Sequence, residues 1–175
     1  MMSNNGKKII MFGLFCAILS PGAYAADVTI NVTGKVVASP CTVDNNGVYN
    51  IDLGQSISST TLSPANSYSA WKNFNVTLSA CPVGTTKVTA AFSGNADSYN
   101  NTMYANATGT GYAQNVAVQL QNSSSGTNTG NGSTMTVSVV NSAATFPLQA
   151  RAYSTPGGAT AGIINAVVLM NMTYN

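Results

Sequence analysis

Few side chains in this 175-residue sequence could support catalysis. It contains no His, and its four acidic residues are all Asp. Asp44 and Asp52 are two carboxylates near each other in sequence, a combination that general acid–base catalysis often uses. However, Asp44 lies in a predicted turn and Asp52 at a predicted strand end, where Asp usually binds solvent or caps the backbone. We therefore expect no catalytic residues.

The three cysteines predict a structural bond rather than a metal centre. Cys16 lies in the N-terminal apolar run, which leaves Cys41 and Cys81 in the remaining chain. If the chain is exported, these two cysteines most simply form one disulfide. A zinc site would need further ligands, and His and Glu are both lacking. Gly126–Gly132 is rich in glycine but has no phosphate-loop Lys, so we expect neither a metal nor a cofactor.

The N-terminal residues have the layout of a secretory signal. Lys7 and Lys8 precede an apolar run at residues 9–19, and small residues follow at 23–25. The run is too short to cross a bilayer, which requires about 20 apolar residues. We expect residues 1–25 to be a signal peptide, with the mature chain starting at Ala26.

The predicted mature chain has no excess of charge. Its basic side chains are matched in number by its acidic ones: Lys35, Lys72, Lys87 and Arg151 against Asp27, Asp44, Asp52 and Asp97. Without a basic patch, nucleic acid is not expected as a partner, and we expect no small-molecule substrate either. A surface of Asn, Ser and Thr lacks the charge repulsion that keeps proteins apart, which suits a protein that associates.

Apolar and polar residues alternate through most of the predicted mature chain, which is typical of β-strands with one face on a core. The apolar positions form six series: 74, 76, 78 and 80; 88, 90 and 92; 116, 118 and 120; 135, 137 and 139; 146, 148, 150 and 152; and 164 to 174 in steps of two. Polar loops containing Gly, Pro, Asn and Ser separate them. This pattern favours a single antiparallel β-sandwich.

The segment from Val28 to Ala38 also alternates, and it ends at Ser39-Pro40. Such alternation is what the first strand of the sandwich would show. Two features favour a different role. The segment precedes the disulfide, so no covalent link ties it to the body. Gly34 also interrupts the apolar face at a position where a bulky residue would help to fill a core within this chain. A Gly there suggests that another backbone approaches closely.

The whole chain resembles the chaperone–usher pilins, and among them the minor tip adaptor subunits of type 1 pili. The similarity lies in the order of short motifs: Ala26–Ile30, Gly34–Val37, Pro40–Val43, Asp52–Gly54, Cys81–Thr85 and Phe146–Ala152. It extends to an alternating final strand, a Gly fourteenth from the end and a penultimate Tyr, which here are Gly162 and Tyr174. The similarity is weaker at 56–69 and 94–111.

The resemblance implies an incomplete immunoglobulin-like sandwich of six strands that lacks the seventh, with residues 26–38 as a donor-strand extension and 39–175 as the pilin domain. It implies that a periplasmic chaperone fills the vacant groove and that, at an outer-membrane usher, a neighbouring subunit's extension replaces it. The donor residues would be Val28, Ile30, Val32, Gly34 and Val36. The acceptor groove and chaperone contact would comprise Gly162, Ala166, Val168, Met170, Met172, Tyr174 and the carboxylate of Asn175.

The expected function is therefore that of a non-enzymatic adaptor, exported through the periplasm into an extracellular pilus that supports cell adhesion. Two alternatives remain open. One is the major shaft pilin of the same family. The other is a self-contained secreted sandwich that binds carbohydrate on aromatic side chains, namely Trp71, Tyr68, Tyr99, Tyr104 and Tyr112. Against the second alternative, we expect Trp71 in the core and the tyrosines in loops.

Overall fold

A computed structural model describes residues 29–37 and 39–175. The predicted signal peptide, Val28 and Ala38 lie outside the described residues. The described part contains nine strands: β1 (Thr42–Val43), β2 (Ser67–Tyr68), β3 (Lys72–Ser79), β4 (Lys87–Gly94), β5 (Tyr104–Ala105), β6 (Ala117–Asn122), β7 (Thr134–Ser138), β8 (Ala144–Ser154) and β9 (Val168–Tyr174). A 3₁₀ turn follows β1 at Asp44–Gly47.

The strands form two antiparallel sheets. The first sheet has the order β1-β3-β8-β6-β5, with β2 also paired to β8. The second has the order β7-β4-β9. Residues from both sheets pack into one core cluster, so the molecule is the β-sandwich that the alternation predicted. The short strands β1, β2 and β5 are additional to the six that we expected.

The period-2 pattern accounts for the core. In β8, alternate residues are buried, and Phe146 and Leu148 are among the most buried side chains in the molecule. They face Val88 and Phe92 of β4, in the opposite sheet, within the same cluster. Since successive side chains of a strand point to opposite faces, each strand contributes one apolar face to this core.

The predicted disulfide joins Cys41 to Cys81, with their Cα atoms 4.2 Å apart. Cys41 lies directly before β1, and Cys81 follows the end of β3. The bond therefore links the start of β1 to the end of β3, at the edge of the first sheet. β1 contains only two residues, which pair with Ser79 and Leu78 of β3.

Two expectations for aromatic residues were wrong. Trp71 is half-buried at the surface, where its ring lies 4.1 Å from the guanidinium carbon of Arg151. Tyr104 is fully buried in β5 rather than placed in a loop, and its hydroxyl donates a 2.7 Å hydrogen bond to the carbonyl of Thr129. Burial raises the pKa of Tyr104 to about 12. Both errors arise from contacts between residues far apart in sequence.

Candidate strand-docking groove

Strand β9 lies at the edge of the second sheet and, among the described residues, pairs only with β4. Lys87 and Asn175 exchange both backbone hydrogen bonds, at 2.9 and 3.0 Å. Because such pairs alternate along an antiparallel ladder, Leu169, Asn171 and Thr173 also direct their backbone groups towards β4. The backbone N–H and C=O groups directed to the free edge belong to the other residues: Val168, Met170, Met172 and Tyr174.

The same four residues point their side chains towards the core, yet the core does not enclose them. All are half-buried, whereas Val88, Ala90 and Phe92 on the neighbouring β4 are between 0% and 1% exposed. Ala166, just before β9, is also half-buried and packs on the same cluster. The free edge of β9 thus carries backbone groups that no described strand pairs, together with half-covered apolar side chains.

An extended segment after the 3₁₀ turn supplies further half-buried residues. Tyr49, Ile51 and Leu53 are half-buried, while the intervening Asn50 and Asp52 are exposed. Tyr49 and Leu53 pack against the same core cluster as the side chains of β9. The described structure assigns residues 48–54 to no strand. We call residues 49–53 and 166–174, whose apolar side chains the same core leaves half-covered, the groove.

Hydrogen bonds attach the segment that contains Asp44 and Tyr49 to β3. The Tyr49 hydroxyl accepts from the Thr77 N–H at 3.1 Å and lies 3.3 Å from the Thr77 carbonyl. The Asp44 carboxylate accepts from the hydroxyls of Ser79 and Thr77, both at 2.6 Å. These two bonds, that from Ser79 first, hold the pKa of Asp44 below its usual value because they favour the charged form.

The two carboxylates considered for catalysis therefore have separate structural partners. Asp44 bonds to β3, whereas Asp52 accepts from the Gly54 N–H at 2.9 Å and from Gln55 at 2.8 Å. These bonds lower the pKa of Asp52 as well, with the Gly54 N–H as the main cause. In the part of the chain that the structure describes, no three His, Cys, Asp or Glu residues are grouped to hold a metal ion.

A loop contact fixes the position at which the chain enters β9. Asn106 donates to the carbonyls of Ala113 and Ile163, at 2.8 and 3.1 Å, and accepts from the Asn165 N–H at 2.6 Å. Gly162 lies so near the backbone of Ala113 that a Cβ atom would overlap it. Gly162, which the sequence placed in the groove, thus lies in the loop before β9 and sets the approach of this loop.

At the other end of β9, the terminal residue lies at the start of β4. The Asn175 carbonyl oxygen accepts from the N–H groups of Thr86 and Lys87, at 2.6 and 2.9 Å, and lies 3.2 Å from the Thr86 hydroxyl. Asn175 is exposed. The end of the chain is therefore accessible to a partner, although its backbone is already held by the sheet.

The predicted donor residues are described from residue 29 onwards, so Val28 lies outside the described residues. Residues 29–37 belong to no strand. Ile30 is 80% exposed, Val32 89% and Val36 98%. A Cβ atom at Gly34 would meet no other described atom within 4 Å. These three bulky apolar side chains are thus exposed to solvent.

The sequence analysis found β9 but missed residues 49–53. The signal was present, because Tyr49, Ile51 and Leu53 alternate with polar residues in the same way as the predicted strands. Two surface cavities, of about 460 and 350 Å³, lie outside the groove. They are lined mainly by residues 122–147 and 96–116, respectively, and they contain none of the predicted donor or groove residues. The second is lined in part by Tyr99 and Tyr112, two of the aromatic residues considered for carbohydrate binding.

Comparison with known proteins gives a consistent result. Residues 30–175 match the family described as "Fimbrial protein". The chain is 45% identical to Protein FimG of Escherichia coli K12, over 97% of this chain and 98% of FimG. It is 30% identical to the type-1 fimbrial protein A chain of the same strain, over 90% and 92% of the two chains. The P pilus rod subunit PapA has the same fold, with a TM-score of 0.65, 22% identity and coverage of 78% of this chain and 100% of PapA.

Proposed function

The chain belongs to the fimbrial protein family, and we propose that it joins its pilus by accepting a neighbour's strand in the groove and donating its own N-terminal segment to the next subunit. The observation that carries this proposal is the coincidence at β9. The residues whose backbone groups lack a partner strand are also those whose apolar side chains the core leaves half-covered. An added strand would satisfy both at once.

The energetics favour an extended occupant. Each ladder hydrogen bond contributes about 0.5–1.5 kcal/mol net, and each well-buried aliphatic side chain about 1.5–3 kcal/mol. Four aliphatic side chains would therefore contribute roughly 6–12 kcal/mol. The donor segment has matching features, since Ile30, Val32 and Val36 are exposed and their even spacing would place them on one face of an extended strand. We propose that Val28 acts with them and that Gly34 allows a close approach of the two backbones.

We propose residues 26–38 as the donor extension and 39–175 as the body. A periplasmic chaperone would occupy the groove before assembly and contact the carboxylate of Asn175, and an outer-membrane usher would be the place of exchange. An uncovered sheet edge with apolar side chains is an aggregation hazard, which is the physical reason for a temporary occupant. The route would begin with removal of residues 1–25 and pass through the periplasm to the cell surface.

Within the pilus, we assign this chain to a minor adaptor position that supports cell adhesion. The identity to FimG, at 45%, exceeds that to the type-1 fimbrial protein A chain, at 30%. This difference favours the adaptor over the major shaft pilin. We propose a structural role without catalysis, because the Asp44 and Asp52 carboxylates are both committed to hydrogen bonds within the body.

A displacement experiment tests the donor-strand proposal. The chain is purified with its chaperone and mixed with synthetic peptides that copy the N-terminal segments of candidate neighbouring subunits. We expect one peptide to release the chaperone. The chain with this peptide should unfold at a higher temperature than the chain with its chaperone, because the peptide covers the half-buried side chains of β9. The matched control replaces one core-facing apolar residue of that peptide with Asp and should fail.

Soluble, monomeric chain obtained without any chaperone, with no response to any peptide, would contradict the proposal. It would instead support the self-contained sandwich that was considered from the sequence.

A further inference from the structure

The outer face of the first sheet carries an ordered group of polar and aromatic side chains away from the groove. Alternate residues of β8 point outwards, and the register places Arg151 opposite Gln119 and Gln149 opposite Gln121. Tyr153 lies opposite Tyr68 of β2. Trp71 lies directly before β3, which pairs with β8 on the edge opposite to β6. We call this group the aromatic–amide face: Tyr68, Trp71, Gln119, Gln121, Asn128, Gln149, Arg151 and Tyr153.

The guanidinium of Arg151 is held at the centre of this face. Its carbon lies 3.6 Å from the centroid of the Tyr68 ring, 4.1 Å from that of Trp71 and 5.5 Å from that of Tyr153. Its Nε–H donates a 2.7 Å hydrogen bond to Oε1 of Gln119. Stacking on rings together with a fixed hydrogen bond restricts the side chain to one orientation, so little entropy remains to be lost on binding.

Among the residues that the structure describes, none forms an ion pair with Arg151. The structure gives the Arg151 side chain a hydrogen bond to the Gln119 amide and contacts with the rings of Tyr68, Trp71 and Tyr153. Partial burial lowers the pKa of Arg151. Guanidinium groups match carboxylates with two parallel hydrogen bonds, and this one retains further N–H donors beyond Nε. A carboxylate is therefore the complementary ligand group.

The neighbouring amides form a network that is already ordered. The Gln119 and Gln121 side-chain NH₂ groups both donate to Oδ1 of Asn128, at 3.0 and 2.8 Å. The Gln149 NH₂ group donates to Oε1 of Gln121 at 3.1 Å. Each amide has two donors and an acceptor with two lone pairs, so the network keeps capacity for further bonds. Such groups suit hydroxyls, which both donate and accept.

We propose that the aromatic–amide face binds a saccharide that carries a carboxylate, of the uronic acid class. Arg151 would receive the carboxylate, and the Gln149 and Gln121 amides would bond to ring hydroxyls. The ring of Tyr68, a residue that is 53% exposed, would pack on the C–H face of the sugar. Apolar contact, charge and hydroxyl recognition thus lie together on one rigid sheet face. The site is on the outer side of β8, whereas the groove is at β9, so this binding does not depend on strand docking.

The test uses methyl β-glucuronide as the probe and methyl β-glucoside, which lacks the carboxylate, as its matched analogue. The chain, kept soluble in complex with its chaperone, is titrated with each sugar, and with acetate, by NMR. We expect glucuronide binding on the order of millimolar Kd, with shifts at the Trp71 indole and the Arg151 Nε. We expect the glucoside to bind about tenfold to a hundredfold more weakly, since a hydrogen-bonded charge contributes about that much.

Variants separate a binding role from a purely structural one. Arg151→Gln should weaken glucuronide binding by about tenfold or more and leave the glucoside titration unchanged. Lys72→Gln removes one exposed positive charge at the start of β3 and changes no residue of the aromatic–amide face, so it should alter neither titration. If Arg151→Gln unfolds, Tyr68→Ala is the second variant, because it shortens an exposed residue, and it should weaken both sugars.

Three results would overturn the proposal. The first is equal binding of the glucuronide and the glucoside, which would remove the role of the carboxylate. The second is binding of acetate as strong as that of the glucuronide, since no saccharide would then be recognised. The third is glucuronide binding that is absent in the wild-type chain, or unchanged in a folded Arg151→Gln or Tyr68→Ala variant.

Discussion

The substitution Val32→Asp separates the donor role of the N-terminal segment from the stability of the body. Val32 is 89% exposed in this chain, so its replacement should change the free energy of unfolding by no more than about 0.5 kcal/mol. In a neighbour's groove, the same change would remove the free energy gained by burying the valine side chain, which is about 1.5–3 kcal/mol. It would also place a carboxylate in an apolar site, at a cost of several kcal/mol.

The two effects together amount to at least about 4 kcal/mol, which corresponds to roughly a thousandfold loss of affinity for the acceptor subunit. The assay measures incorporation of the variant into pili in cells that lack the wild-type chain, alongside its unfolding by urea. Thr33→Asp is the matched control, because it adds the same charge one residue away, on the opposite face of an extended segment. We expect normal unfolding for both variants and incorporation for Thr33→Asp alone.

Equal incorporation of the Val32→Asp and Thr33→Asp variants would refute the reasoning. It would mean that Val32 does not enter an apolar site. A loss of urea stability in Val32→Asp would also refute it, because the side chain would then belong to the chain's own core.

Three further predictions concern the body. The Asp44 carboxylate has a lowered pKa, so its contribution to stability should be complete above the unfolded value of about 3.9 and should disappear as the pH falls through the lowered value. Urea unfolding across this range should show the loss in the wild-type chain and not in Asp44→Asn. Cys81→Ser should reduce the free energy of unfolding by about 3–4 kcal/mol, because the bond closes a loop with a sequence separation of 40, and reductant should have no added effect on it. Gly162→Ala should lower the melting temperature and slow peptide docking, since the new Cβ would overlap the Ala113 backbone; unchanged values for both would show that the loop adapts freely.

The alternation predicted the sandwich well because burial on one face of a strand is a local property of sequence. The last strand is an example, since Met170 and Met172 were assigned to a core-facing row and do face the core. Their half-burial could not be read from the pattern, because a strand in a closed sheet has the same alternation. Only the absence of a partner strand beside β9 in the described structure distinguishes the two cases.

The aromatic–amide face shows a second limit of sequence reasoning. Arg151 meets Tyr68 and Trp71 because β2 and β3 both pair with β8, and such registers join residues about eighty positions apart. Nothing local to Trp71 indicates a cation over its ring, so its expected place in the core was wrong. By contrast, Tyr49, Ile51 and Leu53 could have been found from their alternation alone.

Residue-resolved hydrogen exchange of β9 tests the central claim most directly. The amides of Met170, Met172 and Tyr174 point to the free edge, whereas those of Leu169 and Asn171 bond to β4. Without an occupant in the groove, we predict fast exchange for the first set and slow exchange for the second, and a docked donor peptide should slow the first set to match. Slow exchange of all five amides in the isolated chain would contradict the account, because the edge of β9 would then already be paired.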